Sequence, residues 1–172
     1  GRKWAAVLPH IDRKPLVVLN ADEGEQIQRL ADTGYESFVA NASSTILFEA
    51  RVAFSDVATN VAGNGLNAFV GLAIRDATLL AAGVNSATDY IGFETLGSAS
   101  DGLNLNFVGE KVSTLVTRAD ITTFVDGTYI KLGFRIDGVT KATPYINGVA
   151  KQGSTQTIPT ANIPIVNMAP VI

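Results

Sequence analysis

Few residues in this 172-residue chain can do chemistry, and their spacing narrows the choice further. His10 is the only histidine, so no histidine-based metal cluster or Ser-His-Asp triad can form within one chain. With no cysteine, disulfides and thiolate metal sites are excluded. General acid–base hydrolysis needs two carboxylates close enough to set opposed pKa values. No E-x-D-x-E run exists; Glu49 and Glu94 each stand alone on a strand-like stretch, and both read as solvent-facing or salt-bridged. Two groupings offer oxygen donors to a Ca²⁺ ion: Asp101 with Asn104 and Asn106, and Asp56 with Asn60 and Asn64. Both read more simply as turn-formers, since Asp and Asn side chains satisfy their own backbone in turns. Gly63-Asn64-Gly65 lacks the Lys-Ser/Thr continuation and the following helix of a phosphate loop. The expectation is a protein that is not an enzyme and uses no metal or cofactor.

Composition points the same way. Apolar residues make up 47% and charged residues only 17%, with a mean hydropathy of +0.23. A surface so poor in charge is either hidden in an assembly or covered by uncharged polar groups. The net charge is −3 with no basic run, so nucleic acid is not an expected partner. No apolar run approaches the ~20 residues that span a bilayer, and the start lacks the apolar core of a signal peptide. The missing initiating Met suggests a trimmed chain. Residues 1–20 carry Arg2, Lys3, Arg13 and Lys14 against Asp12, a net of +3. Residues 21–36 carry five acids against Arg29, a net of −4. Solvated charge near a terminus accounts for this dipole, and docking of a neighbour is the sharper alternative.

The elements that must position these residues are almost all strands. Residues 1–34 read as an extended arm broken by Pro9 and Pro15, with one short helix over 22–31, where Asp22 is the cap and Glu25 follows three residues on. From Tyr35 the pattern is β throughout. Strands are expected over 36–40, 45–54, 66–75, 90–95, 103–108, 113–117 and 121–125, with another short strand and its turn within 76–84. In 126–148 (DGTYIKLGFRIDGVTKATPYING), Ile130, Leu132, Phe134 and Ile136 alternate with Lys131, Gly133, Arg135 and Asp137. That period of two marks a strand with one dry and one wet face. Asp137-Gly138 and Asn147-Gly148 supply the positive φ of tight type I′ hairpin turns. The proline-rich end, 157–172, reads as a strap along an edge that finishes in a strand. Short strands with turn signals every 8–12 residues predict an all-β sandwich of two antiparallel sheets.

The segments FEARVAFSDV, NAFVGLAI, TDYIGFETL, NLNFVGE and DGTYIKLGFRIDGVTKATPYINGVAKQG together resemble the concanavalin A-like lectin/glucanase jelly roll, which includes laminin-G-like domains. More narrowly they resemble phage and prophage virion proteins of that fold, over about residues 35–172. The final hairpin carries most of the likeness, and it specifies fold better than function. The resemblance implies a non-enzymatic decoration (cement) protein that binds and stabilises the shell of the major capsid protein on the virion surface. It also implies a homo-oligomer, with a trimer favoured at a three-fold position. In that reading Arg2, Lys3, Trp4, Arg13, Lys14, Ile163 and Ile165 meet the partner, and the lone Trp4 is an anchor for a neighbour's pocket. The alternative is a carbohydrate-binding module of a phage tail or secreted protein, with Tyr90, Tyr129 and Tyr145 as the aromatics that face a glycan.

Overall fold

Alternation of dry and wet residues requires sheets that bury one face, and the chain forms two of them. The computed structural model describes residues 38–54, 68–74, 80–81, 84–85, 87–95, 104–125 and 127–172. The expected N-terminal arm, the helix over 22–31, the Gly63–Gly65 loop and Asp101 lie outside the described residues. So do Arg2, Lys3, Trp4, Arg13, Lys14, Asp56, Asn60 and Asn64.

The strands, in chain order, are β1 (Thr45–Val52), β2 (Ala68–Ala73), β3 (Leu80–Ala81), β4 (Val84–Asn85), β5 (Tyr90–Thr95) and β6 (Asn104–Lys111). They continue as β7 (Thr114–Thr123), β8 (Ile130–Asp137), β9 (Lys141–Ile146), β10 (Val149–Ala150), β11 (Ile158–Pro159) and β12 (Ala169–Val171). One sheet has the order β12-β2-β5-β6-β7, and the other β1-β8-β9-β10 with β11 also on β9, while among the described residues β3 and β4 pair only with each other. All pairs are antiparallel, and the two sheets pack as a sandwich. The topology is compatible with a jelly roll. The only helical turn among the described residues is a 3-10 turn at Thr160–Asn162.

The core lies between the sheets. Val70, Leu72, Ile91, Phe93, Leu105 and Phe107 come from the first sheet, and Ile46, Leu132, Phe134 and Ile136 from the second. Phe134 is its centre: its ring stacks on Phe48 at 4.9 Å and lies 6.4 Å and 5.8 Å from Phe93 and Phe107. Large rings at such separations gain packing contacts beyond the area they bury.

The structure corrects several expected boundaries. The stretches 113–117 and 121–125, expected as two strands, form the single strand β7. Its middle, Ala119 to Ile121, is a bulge: pairing with β6 shifts between Leu105 and Phe107, and Asp120 takes a φ of 54°. The Asn106 side chain accepts the Asp120 N–H at 3.0 Å and so fixes the bulge. Asn147 and Gly148 both have positive φ and make the expected two-residue turn between β9 and β10. Asp137-Gly138 does not, because Asp137 pairs with Lys141 across a three-residue loop in which Gly138 alone has positive φ.

The C-terminal strap is integral to the sandwich. β11 pairs with β9 of the second sheet, and the 3-10 turn then crosses to the first sheet over Gly109. A Cβ at Gly109 would lie 2.6 Å from the Ile158 side chain and 2.9 Å from the Asn162 carbonyl oxygen, so glycine is what lets the strap pass. Asn162 donates to the Thr114 carbonyl at 2.7 Å and Arg118 Nε to the Thr157 carbonyl at 2.8 Å, closing that side. The strap then ends as β12 beside β2.

Candidate functional site

The outward face of the first sheet holds the one cluster of perturbed acids among the described residues. On β5, Tyr90, Gly92 and Glu94 share that face by alternation, and Ile91, Phe93 and Thr95 face the core. Register sets Tyr90 opposite Glu110 and Glu94 opposite Asn106 on β6, and Glu94 opposite Phe69 on β2. Gly71 and Gly92 lie directly opposite one another. A Cβ at Gly71 would stand 2.6 Å from the Gly92 Cα, and the Phe69 ring lies over both glycines. Phe69 meets Tyr90 edge to face at 5.5 Å, and Ala73, Ala87, Val108 and Val171 complete a second, smaller apolar cluster.

Burial decides the electrostatics of this face. Glu94 is only 2% exposed, and desolvation, with the neighbouring Glu110 carboxyl second, pushes its pKa up to about 7. Burial likewise raises the Tyr90 hydroxyl above its ordinary value, helped by the charge of Glu94 and by the hydrogen bond to Glu110. A carboxyl that titrates near neutrality beside a second carboxyl and a phenol can hold a proton. As the face stands, a side chain so deeply buried meets no solute from solution. The proton therefore acts on the stability of the fold.

Next to this cluster, Asp89 anchors the β6–β7 turn. Its carboxylate accepts the Val112 N–H at 3.2 Å and the Thr88 hydroxyl at 3.1 Å, and the Thr88 carbonyl accepts the Ser113 N–H at 3.0 Å. Val112 and Ser113 both have positive φ, 50° and 58°, a conformation that β-branched valine adopts only under constraint.

The residues singled out in the sequence are dispersed. Tyr90 is buried in the acid cluster, whereas Tyr129 is 49% exposed with the Arg51 guanidinium 4.3 Å from its ring centroid. Tyr145 is half-buried on β9, opposite Gly133. The three tyrosines therefore form no common platform. Ile163 is fully buried in the core, so its side chain offers nothing to a partner; Ile165 is 51% exposed. Glu49 is exposed and pairs with Lys131 at 3.2 Å, as expected. Glu94 corrects the expectation of a solvent-facing or salt-bridged residue. The sequence does signal that Tyr90 and Glu94, four apart on a strand, share a face; the neighbour Glu110 appears only with the register. Among the described residues no three His, Cys, Asp or Glu side chains are grouped to hold a metal. Asn106, a candidate Ca²⁺ donor, is instead engaged at the β7 bulge.

Comparison with family models, curated proteins and solved structures finds no match.

Proposed function

We propose that this chain is a non-enzymatic structural protein of a phage particle, a decoration protein seated on the shell formed by the major capsid protein. The resemblance of residues 35–172 to virion proteins supports the reading. The structural observation that carries it is the division of the surface. The only perturbed acids among the described residues are sealed within the outward face of one sheet, while Leu47, Val112, Leu115, Ile165 and Val166 are exposed. Such a module works by presenting a rigid apolar and uncharged surface to neighbours, and binding comes from the apolar area it removes from water. The strap 157–172 is part of the fold, so it does not serve as a free arm; contact falls to its exposed side chains, Ile165 and Val166.

Quantitative mass spectrometry of purified virions tests the reading. Hundreds of copies in fixed ratio to the major capsid protein are expected. A few dozen copies would place the chain in the tail, and absence from the particle would end the virion reading. One observation favours a carbohydrate-binding alternative: Tyr129, just before β8, is 49% exposed and lies under the Arg51 guanidinium. Glycan-array binding that is lost in Tyr129→Ala would establish it.

A further inference from the structure

A sheet edge exposes backbone donors and acceptors that another strand can pair with, and natural proteins protect such edges. Most edges here carry a recognisable protection. β12 has three residues, with Pro170 in the middle; β11 has two, with Pro159; β10 has two. β1 carries Glu49 and Arg51 on its exposed face. β7 differs. It is the longest strand, ten residues, and among the described residues it pairs only with β6. Its bulge and Asp120 protect the second half, but 114–118 (TLVTR) is regular, has no proline, and exposes Thr114, Leu115 and Thr117; the strap bonds the Thr114 carbonyl and the Arg118 side chain there and leaves the backbone of Leu115 and Thr117 untouched.

The backbone of this half is oriented for pairing. Lys111 and Thr114 flank a two-residue turn and form the hydrogen-bonded rung that closes it. Alternation from there directs the N–H and C=O of Val116 and Arg118 to β6, and those of Leu115 and Thr117 outward. Leu115 is 50% exposed.

We propose that two copies of this chain join through β7, antiparallel about a two-fold axis, with Val116 opposite Val116 of the partner subunit. The register is self-complementary. Leu115 and Thr117 of each copy exchange both backbone bonds with Thr117 and Leu115 of the partner subunit, four bonds in all. Val116 stacks on its own counterpart, Arg118 stands opposite Thr114 of the partner subunit, and no like charges oppose one another. The two five-stranded sheets become one sheet of ten strands, and both edges disappear. A register moved by one residue would turn the outward groups of one strand against the inward groups of the other. The two-fold centre on Val116 satisfies both strands. This inference goes beyond the virion reading, and it sets a two-fold dimer against the three-fold trimer expected from the resemblance.

Sedimentation equilibrium of the full chain in solution tests it. The wild type is expected to reach twice its 18.1 kDa mass with rising concentration. Thr117→Pro removes an outward N–H and no β6 bond, so it should weaken dimerisation at least tenfold with an unchanged circular dichroism spectrum. If that variant fails to fold, Leu115→Lys, a surface change beside the same rung, must give the same loss. Val116→Cys adds a cysteine to a chain that has none, at a non-hydrogen-bonded rung where Cα atoms are about 4.5 Å apart. On oxidation it should give a disulfide-linked dimer, and Thr123→Cys should not. A wild type that stays monomeric at every concentration, a trimer, or a dimer indifferent to Thr117→Pro and Leu115→Lys would overturn the proposal. Each of these results leaves the virion copy number to be decided by its own experiment.

Discussion

Glu94→Gln isolates the carboxyl that burial perturbs most among the described residues. Burial raises the Glu94 carboxyl from its ordinary 4.5 to about 7, with Glu110 adding to the rise. Below about pH 4.5 both the folded and the unfolded chain hold this proton, and the group makes no difference to stability. As the pH rises through 4.5 the unfolded chain releases it while the folded chain keeps it, so stability falls. The fall ends once the pH passes about 7, where both states have lost the proton. A rise of that size, at about 1.4 kcal/mol per pH unit, costs about 3 kcal/mol by pH 8. Glutamine has nearly the same shape and no charge to desolvate, so the variant escapes the loss. Urea unfolding of both proteins at several pH values between about 4 and 8.5 measures it. The stability of Glu94→Gln relative to wild type should rise by about 3 kcal/mol across that range. Whatever the amide costs in lost contacts shifts the whole difference and leaves its slope intact. A difference that stays flat with pH, or falls, would refute the assignment of a raised pKa to burial on this sheet.

Three further changes test the elements around the cluster. Replacing Val112-Ser113 by Asn-Gly relieves two residues held at positive φ, 50° and 58°, and should raise stability by about 1–2 kcal/mol, read as a higher urea midpoint. A lower midpoint would mean that the exposed Val112 side chain stabilises more than its backbone costs. Gly71→Ala places a Cβ 2.3 Å from the Ile91 carbonyl oxygen and 2.6 Å from the Gly92 Cα, so it should lose about 1–3 kcal/mol; an unchanged thermal midpoint would show that β2 and β5 separate freely. Phe134→Ala empties the centre of the aromatic cluster and should cost about 3–5 kcal/mol in the same unfolding assay.

How much of this was legible in the sequence depended on whether one face of a strand is wet. Ile130, Leu132, Phe134 and Ile136 are buried and Arg135 is exposed, so alternation fixed both the strand and the face of each side chain. The pattern at 90–95 marks β5 as a strand, yet β5 is buried on both faces, and alternation there does not show that Glu94 lies out of solvent. The β7 bulge was hidden because the charged Arg118 and Asp120 interrupt the dry–wet alternation there, which reads as the end of one strand. The β6–β7 turn carries no glycine or asparagine to mark it. It holds its shape through Asp89, which lies 23 positions before Val112.

The acid cluster failed to show for a deeper reason. Hydrophobic pattern sets the parity of a strand, and a slip of two residues preserves parity. Had β6 slipped by two against β5, Glu110 would still face outward but would sit opposite Gly92, away from the Tyr90 hydroxyl. Parity was therefore readable and register was not. Between β2 and β5 the glycine pair supplies the missing key. Gly71 and Gly92 approach so closely that neither tolerates a Cβ, and a slip of two would bring Phe69 or Ala73, each with a Cβ, against Gly92. Two glycines that look like weak points in apolar strands thus lock the neighbours of Glu94 in place, and with them the burial that raises its pKa.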